Sequence, residues 1–318
     1  MLNDLVSPQA IWRIFFLSVF VFLVTVVYFS TNAEAMPRSK VTKGKNSTRI
    51  ITYNIPQGEN QTGAIAQLLT EAGVKTVITE QEEKVYLEKI PLRVVTYNIA
   101  HGEQGLDKIL DVLKTSKADV IALNEVDNGM ARSKFVAQAA WLAKELGMYY
   151  YFGPAKDMAY GNALLSRYPF LEVNNKILPS LKENRGCLTA LVQLPDIQVR
   201  FFVTHLGLRQ QERLQQIEDI KAFMDSYPEE NKLLLGDFNV KPVSPEIEMI
   251  TASFLDAFAQ KGQGEGITYP AISGARIDYI FVSSKIEIKQ AQVLTQVASD
   301  HYPVLAQLEI QLPKKPVN

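Results

Sequence analysis

Short apolar runs recur along residues 91–312, and several of them stop abruptly at a polar side chain. Arg93-Val94-Val95-Thr96-Tyr97 ends in Asn98, Val120-Ile121-Ala122-Leu123 ends in Asn124-Glu125, and Leu233-Leu234-Leu235-Gly236 ends in Asp237. Runs of this length, rich in β-branched and aliphatic residues, predict buried strands. Residues 161–166, 188–194, 199–204, 276–282 and 304–311 predict five more, with Pro195-Asp196 as the turn between the second and third of these. Helical periods lie between them. Residues 135–146 place Phe135, Ala139, Leu142 and Leu146 on one face. Residues 210–224 turn Leu214, Ile217 and Ile220 inward and Arg, Gln and Glu outward, and a short helix begins after Pro245. Strands outnumber helices and are joined both by tight turns and by helical crossovers, so the pattern predicts an α/β fold of two packed mixed β-sheets with helices outside.

The N-terminal part reads differently. Residues 14–29 are apolar except for Ser18 and Thr25, and no charge appears from 14 through 33. A segment of this kind meets a membrane, so residues 1–35 are expected to be a signal peptide or a transmembrane anchor. The run is short of the roughly 20 residues of a spanning helix. Ala33-Glu34-Ala35 has the form of a signal-peptidase site, which leaves cleavage and retention both open. Arg13 alone precedes the run while Arg38, Lys40, Lys43 and Lys45 follow it, so charge by itself would leave the C-terminal side in the cytoplasm. The hydrophobic N-terminus with its cleavage-like site favours export, and an extracytoplasmic protein, membrane-anchored or secreted, is expected.

Residues 36–48 read as a basic linker. Arg49-Ile50-Ile51-Thr52-Tyr53-Asn54-Ile55 is then echoed by Arg93-Val94-Val95-Thr96-Tyr97-Asn98-Ile99, and each copy leads into a helical pattern and a second strand-like run. Residues 49–90 are therefore read as a partial duplicate β-α-β unit, residues 91–312 as the main domain and 313–318 as a tail.

Composition narrows the chemistry. With 47% hydrophobic residues in 318, the chain can fill the core of one large domain. Its single cysteine, Cys187, excludes an intrachain disulfide and a cysteine zinc site. A metal must be held by oxygen ligands or histidine, which suits Mg²⁺, with Mn²⁺ able to replace it. Residues 91–312 carry 22 Lys and Arg against 26 Asp and Glu, a net of −4, so no global field draws polyanions. Nucleic acid is a possible partner but not the favoured one, and a monomer is expected.

The polar residues at the run ends are Asn98, Glu125, His205, Asp237, Asn239, Asp278, Asp300 and His301. Phosphoryl transfer needs a hard cation, donors to the nonbridging oxygens and a base for water. Glu125 is a candidate metal ligand, with Asn98 and Asp300 as further oxygen ligands or hydrogen-bond partners. His205 and Asn239 are candidate phosphate donors. Asp237 and Asn239, two apart on an extended chain, share one side of it. Asp278 can accept from one nitrogen of His301, leaving the other to act on water or hold the phosphate. Asn98 equally reads as a helix cap, His205 as a half-buried histidine and Asp300-His301 as a polar turn. His101 is given no role.

Seven stretches carry a resemblance: Thr96-Tyr97-Asn98, Glu125, Gly161-Asn162-Ala163-Leu164-Leu165-Ser166-Arg167, Thr204-His205-Leu206, Gly236-Asp237-Phe238-Asn239, Arg276-Ile277-Asp278-Tyr279 and Ser299-Asp300-His301-Tyr302-Pro303. In order and spacing they resemble the endonuclease/exonuclease/phosphatase superfamily over residues 93–312. The resemblance implies a four-layer α/β sandwich of the deoxyribonuclease-I type and Mg²⁺-dependent cleavage of phosphate esters. It also implies Glu125 as principal metal ligand, Asp278 and His301 at the catalytic centre, and Arg185 reaching the phosphate. The first copy repeats only the Asn and the Glu, as Asn54 and Glu80, and so is not a second active site. An exported hydrolase works beside lipid headgroups and extracellular nucleic acid, and the net of −4 on residues 91–312 favours the first, so the expected activity is a phosphodiesterase on a lipid headgroup or small phosphodiester. The alternatives are an extracytoplasmic nuclease on DNA or RNA and a catalytically inactive module that binds a phosphorylated ligand.

Overall fold

The computed structural model describes residues 89–155, 158–271 and 274–312, together with the backbone of four short strands nearer the N-terminus. The chain divides into two compact units, residues 1–84 and 85–318. In the first, Tyr28–Phe29 pairs in parallel with Asn54–Ile55, and Lys40–Lys43 pairs antiparallel with Arg49–Thr52. The expectations for the apolar run, the cleavage-like site, the linker, the helix of the duplicated unit and the tail lie outside the described residues. Among the described residues no helix is long and apolar enough to cross a membrane.

The second unit holds two sheets. The seven-stranded sheet contains β1 (Lys89–Asn98), β2 (Val120–Asp127), β3 (Tyr149–Pro154), β4 (Tyr160–Ser166), β10 (Gly262–Gln263), β12 (Ile286–Val293) and β13 (Val304–Gln311), in the order β10-β12-β13-β1-β2-β4-β3. The six-stranded sheet contains β5 (Phe170–Leu178), β6 (Arg185–Leu194), β7 (Ile197–His205), β8 (Lys232–Asp237), β9 (Phe254–Asp256) and β11 (Asp278–Ser283), in the order β9-β11-β8-β7-β6-β5. Both are mixed: β1 with β2 and β7 with β8 run parallel, and most other neighbours run antiparallel.

Strand alternation explains why the central runs are wholly apolar. Val94, Val120 and Leu164 of one sheet face Leu188, Phe201, Val203, Leu233 and Leu235 of the other in a shared core. Their neighbours Val95, Tyr97, Ile121 and Leu123 point the other way, under α1 (Leu106–Ser116) and α2 (Gln138–Leu146). Phe202 and Leu234 lie likewise under α3 (Gln210–Asp225) and α4 (Pro245–Thr251). The layers are helix, sheet, sheet, helix. Cys187 is wholly buried in this packing, which pushes its thiol far up and makes it inert.

Three expectations are corrected. Phe135 is not on the inner face of a helix: α2 starts only at Gln138, because Lys134 and Phe135 both have positive φ, and Phe135 is 75% exposed. In α3, Arg213 and Gln216 point inward, not outward. They are buried because they satisfy a loop. Arg213 donates to Leu208 O (2.7 Å) and pairs with buried Glu246, while Gln216 accepts from Gly207 N and donates to Pro179 O. The strand expected at 276–282 begins at Asp278, leaving Arg276 to pair with Asp256 in the preceding loop.

Candidate active site

Strand register assembles the site. His205 lies opposite Asp237 in the parallel β7–β8 pair, and Asp237 lies opposite Asp278 in the antiparallel β8–β11 pair, so one row crosses the end of the six-stranded sheet. In the other sheet Asn98 lies opposite Asn124. The loop leading into β13 delivers Ser299, Asp300 and His301 to the same end, where Ser299 Oγ donates to Asn98 O at 2.8 Å.

Asn124 joins the two rows. It is fully buried; its amide nitrogen donates to Asn162 Oδ1 (2.8 Å) and Thr204 O (2.9 Å), and its oxygen accepts from Asp237 N (3.0 Å). Glu125 follows at a bulge in the β2–β4 ladder with φ +55°. An unpaired, left-handed residue breaks the in-out alternation and re-aims its side chain, here toward the site. Asn98 Nδ2 donates to Glu125 Oε1 and to Asp237 Oδ2, both at 3.1 Å, while its Oδ1 accepts from Ala100 N. The cap reading of Asn98 holds only for that short turn, since α1 starts at Leu106 behind Gly105.

His301 and Asp278 form a buried pair. His301 Nδ1 is 2.8 Å from Asp278 Oδ2, its Nε2 is 3.7 Å from Asp237 Oδ2, and the Tyr269 ring packs on it at 4.6 Å. Burial pulls the imidazole down, but the charge and hydrogen bond of Asp278, with Asp237 and Asp300 behind, outweigh it and raise His301 to about 10. Asp237 is pushed up from the usual carboxylate range by burial and then by the nearby Asp278 charge.

The second histidine is the opposite case. His205 lies between Arg185 Nη1, 3.1 Å from its Nδ1, and Asp237 Oδ2, 3.4 Å from its Nε2. Burial first, then the Arg185 charge, holds it well below the ordinary imidazole value. A neutral ring accepting from Arg185 carries its proton on Nε2, facing Asp237. Asn239, with φ +52°, donates to Leu206 O and stands 3.0 Å from the same nitrogen. Arg185 is 4% exposed, pairs with Glu183 at 2.9 Å, and its Nε is buried without a partner.

Thus Asn98, Glu125, Asp237, Asp278, His301, His205, Asn239 and Arg185 are brought together. Asp300 is exposed, held by Ser299 Oγ at 3.2 Å, and acts on His301 through its charge. Sequence reasoning missed His101 and Asn124. His101 Nε2 is 3.1 Å from Glu125 Oε2 and its Nδ1 is 3.6 Å from Asp127, which Arg132 also pairs at 2.7 Å. A signal existed for Asn124, an uncharged polar residue inside an apolar run. None of these residues borders the 350 Å³ cavity beside Lys89 and Glu287, which lies at the other end of β1.

A model of the Endonuclease/Exonuclease/phosphatase family matches residues 95–301, a window that runs from just before Asn98 to His301. The chain belongs to this family. A search of curated proteins finds no match. An endonuclease/exonuclease/phosphatase from Beutenbergia cavernae is similar in structure, 25% identical with a TM-score of 0.59 over 72% of this chain and 73% of that one. A family protein from Bacteroides thetaiotaomicron gives 20% identity and a TM-score of 0.62, covering 70% of this chain and 99% of that chain. A mannosyl-6-phosphatase from the same organism gives 19% and 0.60, covering 68% and 99%. The last two likenesses establish the fold.

As an endonuclease/exonuclease/phosphatase enzyme, the protein is a phosphoester hydrolase dependent on a divalent metal. The residues fit such an ion. Asp278 Oδ1 is buried with no partner, burial and then the neighbouring acid hold Asp237 above the usual carboxylate range, and carboxylate oxygens of Glu125 and Asp237 converge on the amide nitrogen of Asn98. Donor atoms of Asp237, Asp278 and His301 lie within 4.8 Å of one another. Because Asp278 already holds His301 as a cation, the carboxylates of Glu125 and Asp237 beside Asn98 offer a hard ion the better seat.

The raised His301 value gives the metal-free fold a pH dependence above neutrality. Unfolded, the ring loses its proton near 6.5; folded, it keeps it to about 10. Its stabilising contribution is therefore complete below 6.5 and is lost as pH rises through 10. Urea titrations in chelator between those limits should show a falling stability that His301→Asn flattens. An unaltered slope in the variant would assign the effect elsewhere.

Proposed function

We propose that the domain is a Mg²⁺-dependent phosphodiesterase that acts outside the cytoplasm on a lipid headgroup or small phosphodiester. The observation that carries this reading is Arg185, a buried guanidinium with a free Nε, set against the acids Glu125, Asp237, Asp278 and Asp300. One buried guanidinium among several carboxylates matches the single negative charge of a diester better than the dianion of a monoester. The expected export and the net charge of −4 on residues 91–312 favour a headgroup or small diester over nucleic acid.

Arg185 binds the phosphate, with Asn239 as a second donor, and His205 positions Arg185 by accepting from its Nη1 while its Nε2 faces Asp237. Asp278 holds the proton on His301 Nδ1, so that Nε2–H donates to a phosphate oxygen or the leaving group. Asp237, pushed up toward neutrality, accepts the proton of the attacking water. Glu125 would hold the metal, with Asp237 and Asn98 beside it and Asp300 as an outer partner. Bound Mg²⁺ supplies positive charge to the nonbridging oxygens and acidifies water.

The test is one panel with the full chain: bis-p-nitrophenyl phosphate, p-nitrophenyl phosphate, sphingomyelin, phosphatidylinositol, glycerophosphodiesters, supercoiled plasmid and single-stranded DNA. Diester turnover should require Mg²⁺ or Mn²⁺ and exceed monoester turnover. Glu125→Gln should lose most activity at ordinary Mg²⁺ and regain part at high Mg²⁺, because mass action reloads a weakened site. Preference for the monoester, or plasmid nicking at low enzyme without headgroup release, would overturn the reading.

A further inference from the structure

The loops next to the catalytic residues carry exposed apolar side chains. Leu208 lies three residues after His205 and is 72% exposed; Val243 lies four after Asn239 and is 94% exposed. Leu181 precedes Arg185 by four residues, and Phe135 follows Glu125 by ten. Each of the four has an exposed cation beside it, namely Arg209, Lys241, Lys182 and Lys134. Lys241 is two residues away and the other three are adjacent. Residues 91–312 as a whole are net acidic, and exposed Glu183 adjoins Lys182.

We propose that the mouth of the active site docks onto an anionic lipid surface, which presents the phosphodiester from the plane of the bilayer. This rests on the phosphodiesterase reading above and names where its substrate resides. Apolar tips that enter the acyl boundary, paired with cations that meet the headgroup phosphates, are the chemistry of an interfacial binder. A protein partner would not need the cations, and a nucleic acid would not need the apolar tips. The cleft of about 100 Å³ lined by Lys182, Arg185, Leu208 and Arg209, together with Glu183 and Glu212, opens between two of these loops and leads a headgroup from the exposed leucine toward Arg185. The apolar run at residues 14–29, expected to meet a membrane, points to the same surface.

The wholly buried Cys187 is the only cysteine, which makes the test direct. Leu208→Cys in the full chain accepts an environment-sensitive fluorophore, and Ser284→Cys serves as a control beside the other end of β1. On phosphatidylcholine vesicles containing phosphatidylserine, the label at 208 should shift blue and be quenched by brominated lipid, while that at 284 should do neither. The pair Leu208→Ser, Val243→Ser should cut hydrolysis of a vesicle-borne diester at least tenfold and leave bis-p-nitrophenyl phosphate turnover within twofold. Equal response of the two labels, equal loss on both substrates, or a label shift on single-stranded DNA but not on vesicles would each overturn the docking proposal. Failure on the soluble diester in the parent chain would instead count against the phosphodiesterase reading, since the label reports without turnover.

Discussion

His301→Ala and Asp237→Ala are each expected to lower diester turnover by at least ~10²-fold, the usual scale for a lost acid-base group or preorganised partner. The two variants should fail for different reasons. His301→Ala removes the donor and leaves Asp278 buried with neither oxygen partnered, since Oδ1 already lacks one. Asp237→Ala removes the acceptor that Asn98, Asn239 and the two histidines converge on. Adding Asp278→Asn to His301→Ala should cost little further turnover, because the acid acts through the ring. Steady-state rates, with circular dichroism to verify the fold, decide it. Near wild-type rates in either single variant would remove that residue from the mechanism.

Gly236→Ala is expected to destabilise the domain by more than ~4 kcal/mol, beyond the range of ordinary substitutions. Gly236 has φ +139°, a conformation that L side chains rarely adopt, and a Cβ there would lie 1.8 Å from Thr204 O. Thr204 is its partner in the β7–β8 ladder, so relief requires separating two central strands. That separation also breaks the row of His205, Asp237 and Asp278. Denaturant unfolding and soluble yield measure the effect, and a soluble Gly236→Ala chain with unchanged midpoint would contradict the close approach. Serine should behave like alanine, because the clash is with the first side-chain atom.

How much was legible beforehand follows from how each residue is held. Strands with both faces covered read directly as apolar runs, so β1, β2, β4, β8 and β13 were found and their polar ends became the site. Strands β3, β5 and β12 were missed, because they lie at or near sheet edges where half-exposed tyrosines, asparagines and lysines interrupt the pattern. His205, Asp237 and Asp278 stood out by composition, yet only register shows that they lie abreast. Nor could local sequence reveal that Asp278 opens its strand: an antiparallel neighbour brings its beginning beside the end of β8. Arg185 came from the family likeness, since it lies four positions after an exposed leucine and nothing in the string marks it as buried. His101 escaped because its positive φ of 56° turns the ring back toward Glu125, a geometry that no periodicity encodes.

The contacts of Asn124 give the site a mechanical character. This carboxamide sits in one sheet and spends a donor and its acceptor on the backbone of the other, at Thr204 O and Asp237 N, while Asn98 reaches across to the Asp237 carboxylate. The reacting groups are thus stitched over the seam of the sandwich and not mounted on either half. Any shear of one sheet against the other is felt first at the stitches, before the core between the sheets admits water. Turnover in this protein is accordingly a gauge of how tightly the two leaves are closed.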